Sequence, residues 1–218
     1  MAAKAHMSRI YIATSNPGKL REFEEAAQSL GADLESLPGF EILPAAVEDG
    51  ATFEANARIK AEHYSRLLLG KLVLAEDSGL SVDELEGAPG VYSARYAATL
   101  RACGQEVSLD RNSSDQDNNR VLIAQLERLP TTKHAGKYVC VIALARSGET
   151  LATFHGEADG ELITKPRGTA GFGYDPHFYF PSLGKTFAEL SLEEKRRHSH
   201  RGKAFRRFID WYAQDSRR

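Results

Sequence analysis

"RIYIATSNPGKLREF" (residues 9–23) changes character in its middle. Residues 9–13 are short, apolar and β-branched, the pattern of a buried strand. After the loop, Leu20, Phe23, Ala27 and Leu30 recur at helical spacing, and Gly31 supplies the stop. A strand that passes through Ser15-Asn16-Pro17-Gly18-Lys19 into a helix predicts an α/β fold. A loop that only turned the chain would need the Pro and the Gly. It would not need Lys19 at a helix start, where the dipole disfavours a cation. The loop is therefore a candidate anion site: open N–H groups at a helix start favour negative charge, and a lysine adds a mobile positive one. The spacing is not that of a Walker A loop. Taken alone, the same residues also suit an ordinary helix cap with a solvated lysine.

Working outward, "DLESLPGF" (33–40) reads as a short strand entering a turn. Thr52 is placed to cap a second helix with Phe53, Ala57, Ala61, Tyr64 and Leu68 on one face and Gly70 at its end. "KLVLAED" (71–77) is a second buried strand, expected to stop in the turn-forming run "EDSGLSVDELEGAPG". "YAATLRACGQEVSLDRNSSDQDNN" (96–119) is polar and reads as an irregular surface excursion. A helix follows through Val121, Leu122, Gln125, Leu126 and Leu129, closed by Pro130. "KYVCVIALARSGETLATFHGEADGEL" (137–162) holds two apolar runs around a turn, a hairpin signal. From about Ser191 the chain is helical and basic, with a break expected in the Ser-His-Arg-Gly stretch at 199–202. Early helix–strand alternation and a late hairpin predict an α/β fold with a mixed sheet and flanking helices.

Bulk properties narrow the function. A chain of 218 residues that is 42% hydrophobic suits one domain of good size, here 9–215, or two closely joined lobes. The formal net charge of -2 and pI near 6.4 give no sign of a general nucleic-acid binder. No stretch approaches the roughly 18 apolar residues of a membrane span. Residues 1–8 are expected to be an N-terminal extension without a secretory signal, and His6-Met7 reads as a cloning junction with Met7 as the native start. Cys103 and Cys140 have no metal-ligand spacing, and Cys140, in "YVCVIALA", reads as a buried thiol. These features suggest a reduced, cytoplasmic protein.

Three further stretches carry chemistry. Glu76 and Asp77 close an apolar strand, and in open α/β sheets ligands gather at the carboxyl ends of strands. Because neighbouring strand residues face opposite ways, one shared site requires the chain to leave regular geometry at Asp77. Hard carboxylate oxygens suit Mg²⁺, and Glu48 is a further candidate ligand. "GFGYDP" (171–176) combines close backbone approach with an aromatic that can stack on a base. "EKRRHSHRGKAFRR" (194–207) supplies Lys195, His200 and Arg201. Singly, these also fit a capped strand end, a tight turn with core aromatics, and a solvated basic helix. Together with the opening loop they fit a nucleoside polyphosphate with Mg²⁺.

The ordered motifs "TSNPGK" (14–19), "FEANARIKA" (53–61), "AEDSGLSVDELEGAPGVYSARYA" (75–97), "GFGYDPHFYFPSLGKTFAEL" (171–190) and "EEKRRHSHRGKA" (193–204) resemble the inosine/xanthosine triphosphate pyrophosphatase family. The resemblance spans nearly the whole chain. It implies an elongated mixed sheet in two lobes around a central nucleotide cleft, a homodimer, and Mg²⁺-assisted hydrolysis of ITP, dITP or XTP to the monophosphate and pyrophosphate. Neither nucleic acid nor membrane is an implied partner. Carried over residue by residue, Thr14, Ser15, Asn16, Pro17, Gly18 and Lys19 hold the triphosphate. Asp77 is the general base and a metal ligand, with Glu76 beside it as a second ligand, and Glu48 remains the further candidate that the residues themselves offer. Ser78 touches the substrate, Phe172, Gly173, Tyr174 and Asp175 line base and sugar, and Lys195, His200 and Arg201 close on the purine. The segment 99–112 looks longer than the family's and is expected to be a surface insertion at the dimer edge. Two other readings share parts of this pattern: a pyrophosphatase for other modified nucleotides, and an RNA-binding module built on the basic C-terminal segment.

Overall fold

The computed structural model describes residues 9–101 and 112–215. In chain order the main elements are β1 (Ile10–Ile12), α1 (Pro17–Leu30), β2 (Leu34–Ser36), α2 (Phe53–Leu67), β3 (Leu72–Val82), α3 (Tyr96–Arg101), α4 (Asp115–Leu126), β4 (His134–Arg146), β5 (Glu149–Leu162), β6 (Phe178–Phe180), β7 (Lys185–Thr186), α5 (Leu192–His198) and α6 (His200–Asp215). Among the described residues seven strands form one sheet in the order β2-β1-β3-β4-β5-β6-β7. β1 runs parallel to β2 and β3, whereas β5–β6 and β6–β7 are antiparallel, so the sheet is mixed as expected.

Local chemistry accounts for the element ends. Asn16 caps α1, Pro17 opens it, and Gly31 ends it. The Thr52 hydroxyl accepts from the Ala55 N–H at 3.1 Å and starts α2. β4 is apolar without alternation from Tyr138 to Ala145 and is buried throughout that run, the pattern of a strand covered on both faces. Ser147-Gly148 make the two-residue turn into β5. α5 and α6 part at Ser199, where the break was expected.

Two stretches depart from the sequence-based expectation. β3 does not stop at Asp77; it continues through Ser78-Gly79 to Val82. Leu80 and Val82 are fully buried and extend the apolar pattern, and Gly79 permits close packing. A Cβ there would stand 2.3 Å from Ser93 Oγ, which instead accepts from the Leu80 N–H at 2.9 Å. The stretch 96–119 is not an irregular excursion where it is described. Tyr96, Ala97 and Ala98 are buried in α3, and the buried Asn118 side chain accepts from Ala97 N–H at 2.9 Å and donates to the Ala94 carbonyl at 3.2 Å. Polar Asn118 joins two helices, so its polarity was a poor guide to exposure. Most of the expected insertion, residues 102–111 with Cys103, lies outside the described residues, as do residues 1–8.

The chain divides into two compact units. Unit 1 comprises Met1–Asp77, Cys140–Glu157 and Arg196–Arg218; unit 2 comprises Ser78–Val139 and Ala158–Lys195. In unit 1, Ile10, Ile12, Leu72, Leu74 and Ile142 pack with Phe23 of α1 and Phe205 and Phe208 of α6. In unit 2, Leu80 and Val82 pack with Leu122, Leu126, Tyr138, Phe178 and Phe187. No described helix is long and apolar enough to cross a membrane.

Candidate active site

In unit 1 the site is built by the register of two parallel strands. Ile12 pairs with Leu74, and Ala13 N–H donates to the Leu74 carbonyl at 2.8 Å. The loop from Thr14 to Lys19 therefore leaves β1 level with Glu76. Lys19 Nζ lies 2.5 Å from Glu76 Oε1, and the Glu76 side chain is buried. Glu76 thus answers why a lysine stands at the mouth of α1: a buried carboxylate on the neighbouring strand compensates it.

Burial alone would raise the Glu76 carboxyl, but Lys19, then Arg201 and Lys60, override it and hold the group well below the usual carboxylate range. Arg201, near the start of α6, is buried and paired with Glu22 of α1. Its own burial disfavours charge, yet Glu22 and Glu76 raise its pKa. His200 is buried as well. Cys140 has the buried position expected of it and donates to Glu76 Oε2 at 3.7 Å; burial, then the Glu76 charge, pushes its thiol up.

Asp77 turns to other partners. Its Oδ1 lies 3.1 Å from Lys60 Nζ, and its Oδ2 accepts from Asn56 Nδ2 at 3.2 Å. Lys60 also donates to Glu48 Oε2 at 2.7 Å. Burial pushes the Asp77 carboxyl up more than Lys60 and Lys19 pull it back. Burial works against the Lys60 charge, but Asp77, Glu48 and Glu76 together raise its pKa. No break in strand geometry is needed to couple the two acids. They alternate across a continuous β3, and each still feels the other's lysine. Adjacent carboxyls are thereby driven apart: Glu76 is a fixed anion, and Asp77 is an acid able to take a proton nearer neutrality.

The opening loop is less open than its sequence suggests. Asn16 Oδ1 accepts from Gly18 N–H at 2.9 Å and Lys19 N–H at 3.1 Å. The Asn16 carbonyl takes Leu20 N–H at 3.0 Å, Thr14 Oγ1 takes Asn16 N–H at 3.2 Å, and Pro17 has none to offer. The unpaired N–H groups expected here are engaged, and the exposed Ser15 stands at the loop's rim.

Unit 2 holds the remaining candidates. Ser78 is partly exposed on β3. Asp175 is buried; its Oδ2 lies 2.6 Å from Lys195 Nζ and accepts from Phe172 N–H at 3.2 Å, and its Oδ1 accepts from Tyr138 OH at 3.2 Å. Lys195 Nζ stands 5.9 Å from the Phe172 ring centroid. Gly171 has φ +84, and a Cβ there would sit 2.1 Å from Asp175 Oδ2, so only glycine lets that carboxylate reach the turn. Gly173 donates to Asp115 Oδ2 at 2.6 Å, and its carbonyl accepts from Asn119 Nδ2 at 3.0 Å. A cavity of about 660 Å³ borders this turn on the α4 side. Tyr174 is buried and donates to the Ser93 carbonyl at 2.8 Å, with burial raising its phenol, so its side chain belongs to the packing of unit 2.

Sequence reasoning missed Asn56, Lys60 and Glu22. A signal for the first two was present. Asn56 and Lys60 stand four apart on α2, next to the buried Ala57, Ala61 and Tyr64, and polar groups intruding on a buried face call for partners. Glu22 carried no comparable mark.

These features define an α/β protein whose charged site stands where β1 ends, beside the middle of the longer parallel strand β3. The chain belongs to the Ham1 family, whose model matches residues 10–211. A protein of Acidobacterium capsulatum named dITP/XTP pyrophosphatase is 47% identical over 197 residues, 90% of this chain and 94% of that one. One of the same name from Yersinia pseudotuberculosis is 43% identical over 94% of this chain and 98% of that one. The solved structure of a HAM1 protein from Coxiella burnetii is 35% identical, with a TM-score of 0.79 over 95% of this chain and 100% of that one.

Proposed function

We propose that this chain hydrolyses the non-standard purine triphosphates dITP, ITP and XTP to the nucleoside monophosphate and pyrophosphate. The observation that carries the reading is the pair of adjacent buried acids with opposed pKa shifts, each held by its own lysine. The names of relatives sharing more than 40% of their residues with it supply the substrate class.

Among the described residues no group of three or more His, Cys, Asp or Glu is arranged to hold a metal ion. The oxygen donors nevertheless suit a hard cation. Glu48 and Asp77 already share one ammonium, that of Lys60. Four carboxylates (Glu22, Glu48, Glu76, Asp77) face three cations (Lys19, Lys60, Arg201), so a polyphosphate entering here needs added positive charge. Mg²⁺, held by Asp77 and Glu48, the two acids that meet at Lys60, would supply that charge and polarise the phosphate oxygens; Glu76, expected as a third ligand, alternates to the other side of β3 and pairs with Lys19. Lys19, Thr14, Ser15 and the Asn16 amide hold the triphosphate. Asp77, aimed by Asn56 and Lys60, takes a proton from the water whose oxygen bonds to the α-phosphorus. The bond from that phosphorus to the bridging oxygen breaks, and pyrophosphate leaves. Positioning and charge stabilisation supply most of the effect, as in phosphoryl transfer generally.

Phe172 offers a stacking face, and Lys195 supplies a donor for the 6-oxo group that inosine and xanthosine carry where adenine carries an amine. Pyrophosphate release from ITP, XTP, GTP and ATP, with Mg²⁺ and with chelator, tests the whole reading. High kcat/KM for ITP and XTP is expected. Equal values across the four would leave a general nucleotide pyrophosphatase, and no turnover at all would sink the proposal. A homodimer in the cytoplasm completes it; a monomeric mass by light scattering would remove the dimer.

A further inference from the structure

We propose that Tyr138 is a positioning residue for nucleobase selection, acting through Asp175; the inference rests on the proposed role of Lys195 in reading the base. Asp175 is a buried carboxylate with a different task at each oxygen. Oδ2 binds the Lys195 ammonium at 2.6 Å and the Phe172 N–H at 3.2 Å, so it sets both the donor and the stacking residue. Oδ1 accepts from Tyr138 OH at 3.2 Å. The two oxygens of a carboxylate are equivalent, so what its broad two-fold torsion χ2 leaves open is the tilt of the carboxylate plane. The Tyr138 hydroxyl on Oδ1 fixes that tilt and with it the direction from which Oδ2 meets Lys195.

Tyr138 is itself well fixed. Its ring lies 4.5 Å from Phe178 and stacks on Phe187 at 5.3 Å, in the core of unit 2. Its position is set by packing, so the hydroxyl is delivered without an ordering cost at the time of binding. Gly171 completes the device by leaving room for the Asp175 carboxylate, where a Cβ would also meet Lys195 Nζ at 2.8 Å. The ammonium that reads the 6-oxo group is thus aimed through a chain of contacts that begins in a strand of the sheet. No backbone movement is needed for a lost hydroxyl to misdirect it.

Tyr138→Phe removes the hydroxyl and keeps the ring. Its expected effect is a fall of roughly tenfold in the ratio of kcat/KM for ITP to that for ATP, the scale of losing a hydrogen bond to a charged group. The loss should fall on the KM for ITP more than on kcat, because Asp77 and Lys19 are untouched. A purely structural role would lower the melting temperature and leave the ratio alone. An unchanged ratio therefore overturns the inference. Asp175→Asn locates the failure. If it lowers the ratio while Tyr138→Phe does not, only the positioning role is lost; if neither moves the ratio, base reading by Lys195 and Asp175 fails with it.

Discussion

The two units bury charge in contrasting ways. In unit 1, Lys19 pairs with Glu76 and Arg201 with Glu22, Lys60 is shared between Glu48 and Asp77, and all three cations act on the charge of Glu76. In unit 2, Asp175 pairs with Lys195 and is also braced by the Phe172 N–H of a turn and the Tyr138 hydroxyl of the core. Such a network tolerates rearrangement when a polyanion and a cation arrive, because Glu76 and Asp77 each lie within the field of more than one cation. A pair braced by a turn and by the core keeps one geometry, which suits reading the shape of a base. The contrast teaches that buried charge in this chain serves chemistry in one region and position in the other.

The largest expected effect would break the braced pair of unit 2. Asp175→Ala leaves the Lys195 ammonium buried without its carboxylate, a loss of about 3–5 kcal/mol. Thermal melting should show it as a marked fall in Tm, and an unchanged Tm would mean the pair contributes nothing to the fold. Next comes the network. Asp77→Asn keeps the shape and removes the base, and kcat for pyrophosphate release should drop at least ~100-fold. Near-normal turnover would falsify the assignment of Asp77.

A smaller effect is expected at Gly171→Ala, where positive φ and the crowding by Asp175 cost about 1–3 kcal/mol. The melt should fall by less than in Asp175→Ala; an equal fall would mean that the turn, not the ion pair, dominates that region. The subtlest test is pH. The general base must be deprotonated to act, and Asp77 titrates above an ordinary aspartate, so activity should fall on acidification at a higher pH than an ordinary aspartate would give. Lys60 pulls the Asp77 pKa down, so Lys60→Met should move the acid limb of kcat/KM further up. A limb that stays in place, or moves down, would show that Asp77 does not set it.

Much of the fold was legible because its signals are local. The cap at Asn16, the stop at Gly31, the cap at Thr52, the Ser147-Gly148 turn and the break at Ser199 each depend on a few adjacent residues. The readings that failed depended on distant ones. Gly79 looked like a turn until Ser93 came to lie against it, and Asn118 looked solvated until it bonded the end of one helix to another. Lys60 was given no role in the sequence reading, and its bridge between Glu48 and Asp77 depends on side chains 12 and 17 positions away.

By itself the sequence determined which chemical groups are present and which local elements carry them: a lysine after a capped loop, two acids on an apolar strand, an aspartate in a glycine-rich turn. Those follow from propensity, capping and periodicity, which act over a few residues. Only the tertiary structure decided which ammonium meets which carboxylate. Strand pairing set Glu76 beside Lys19, helix packing carried Arg201 to Glu22, and burial then separated the pKa values of two neighbours that the sequence presents as alike. The reason is physical: a carboxylate's proton affinity depends on the charges and the solvent around it, and both are settled by residues far away along the chain.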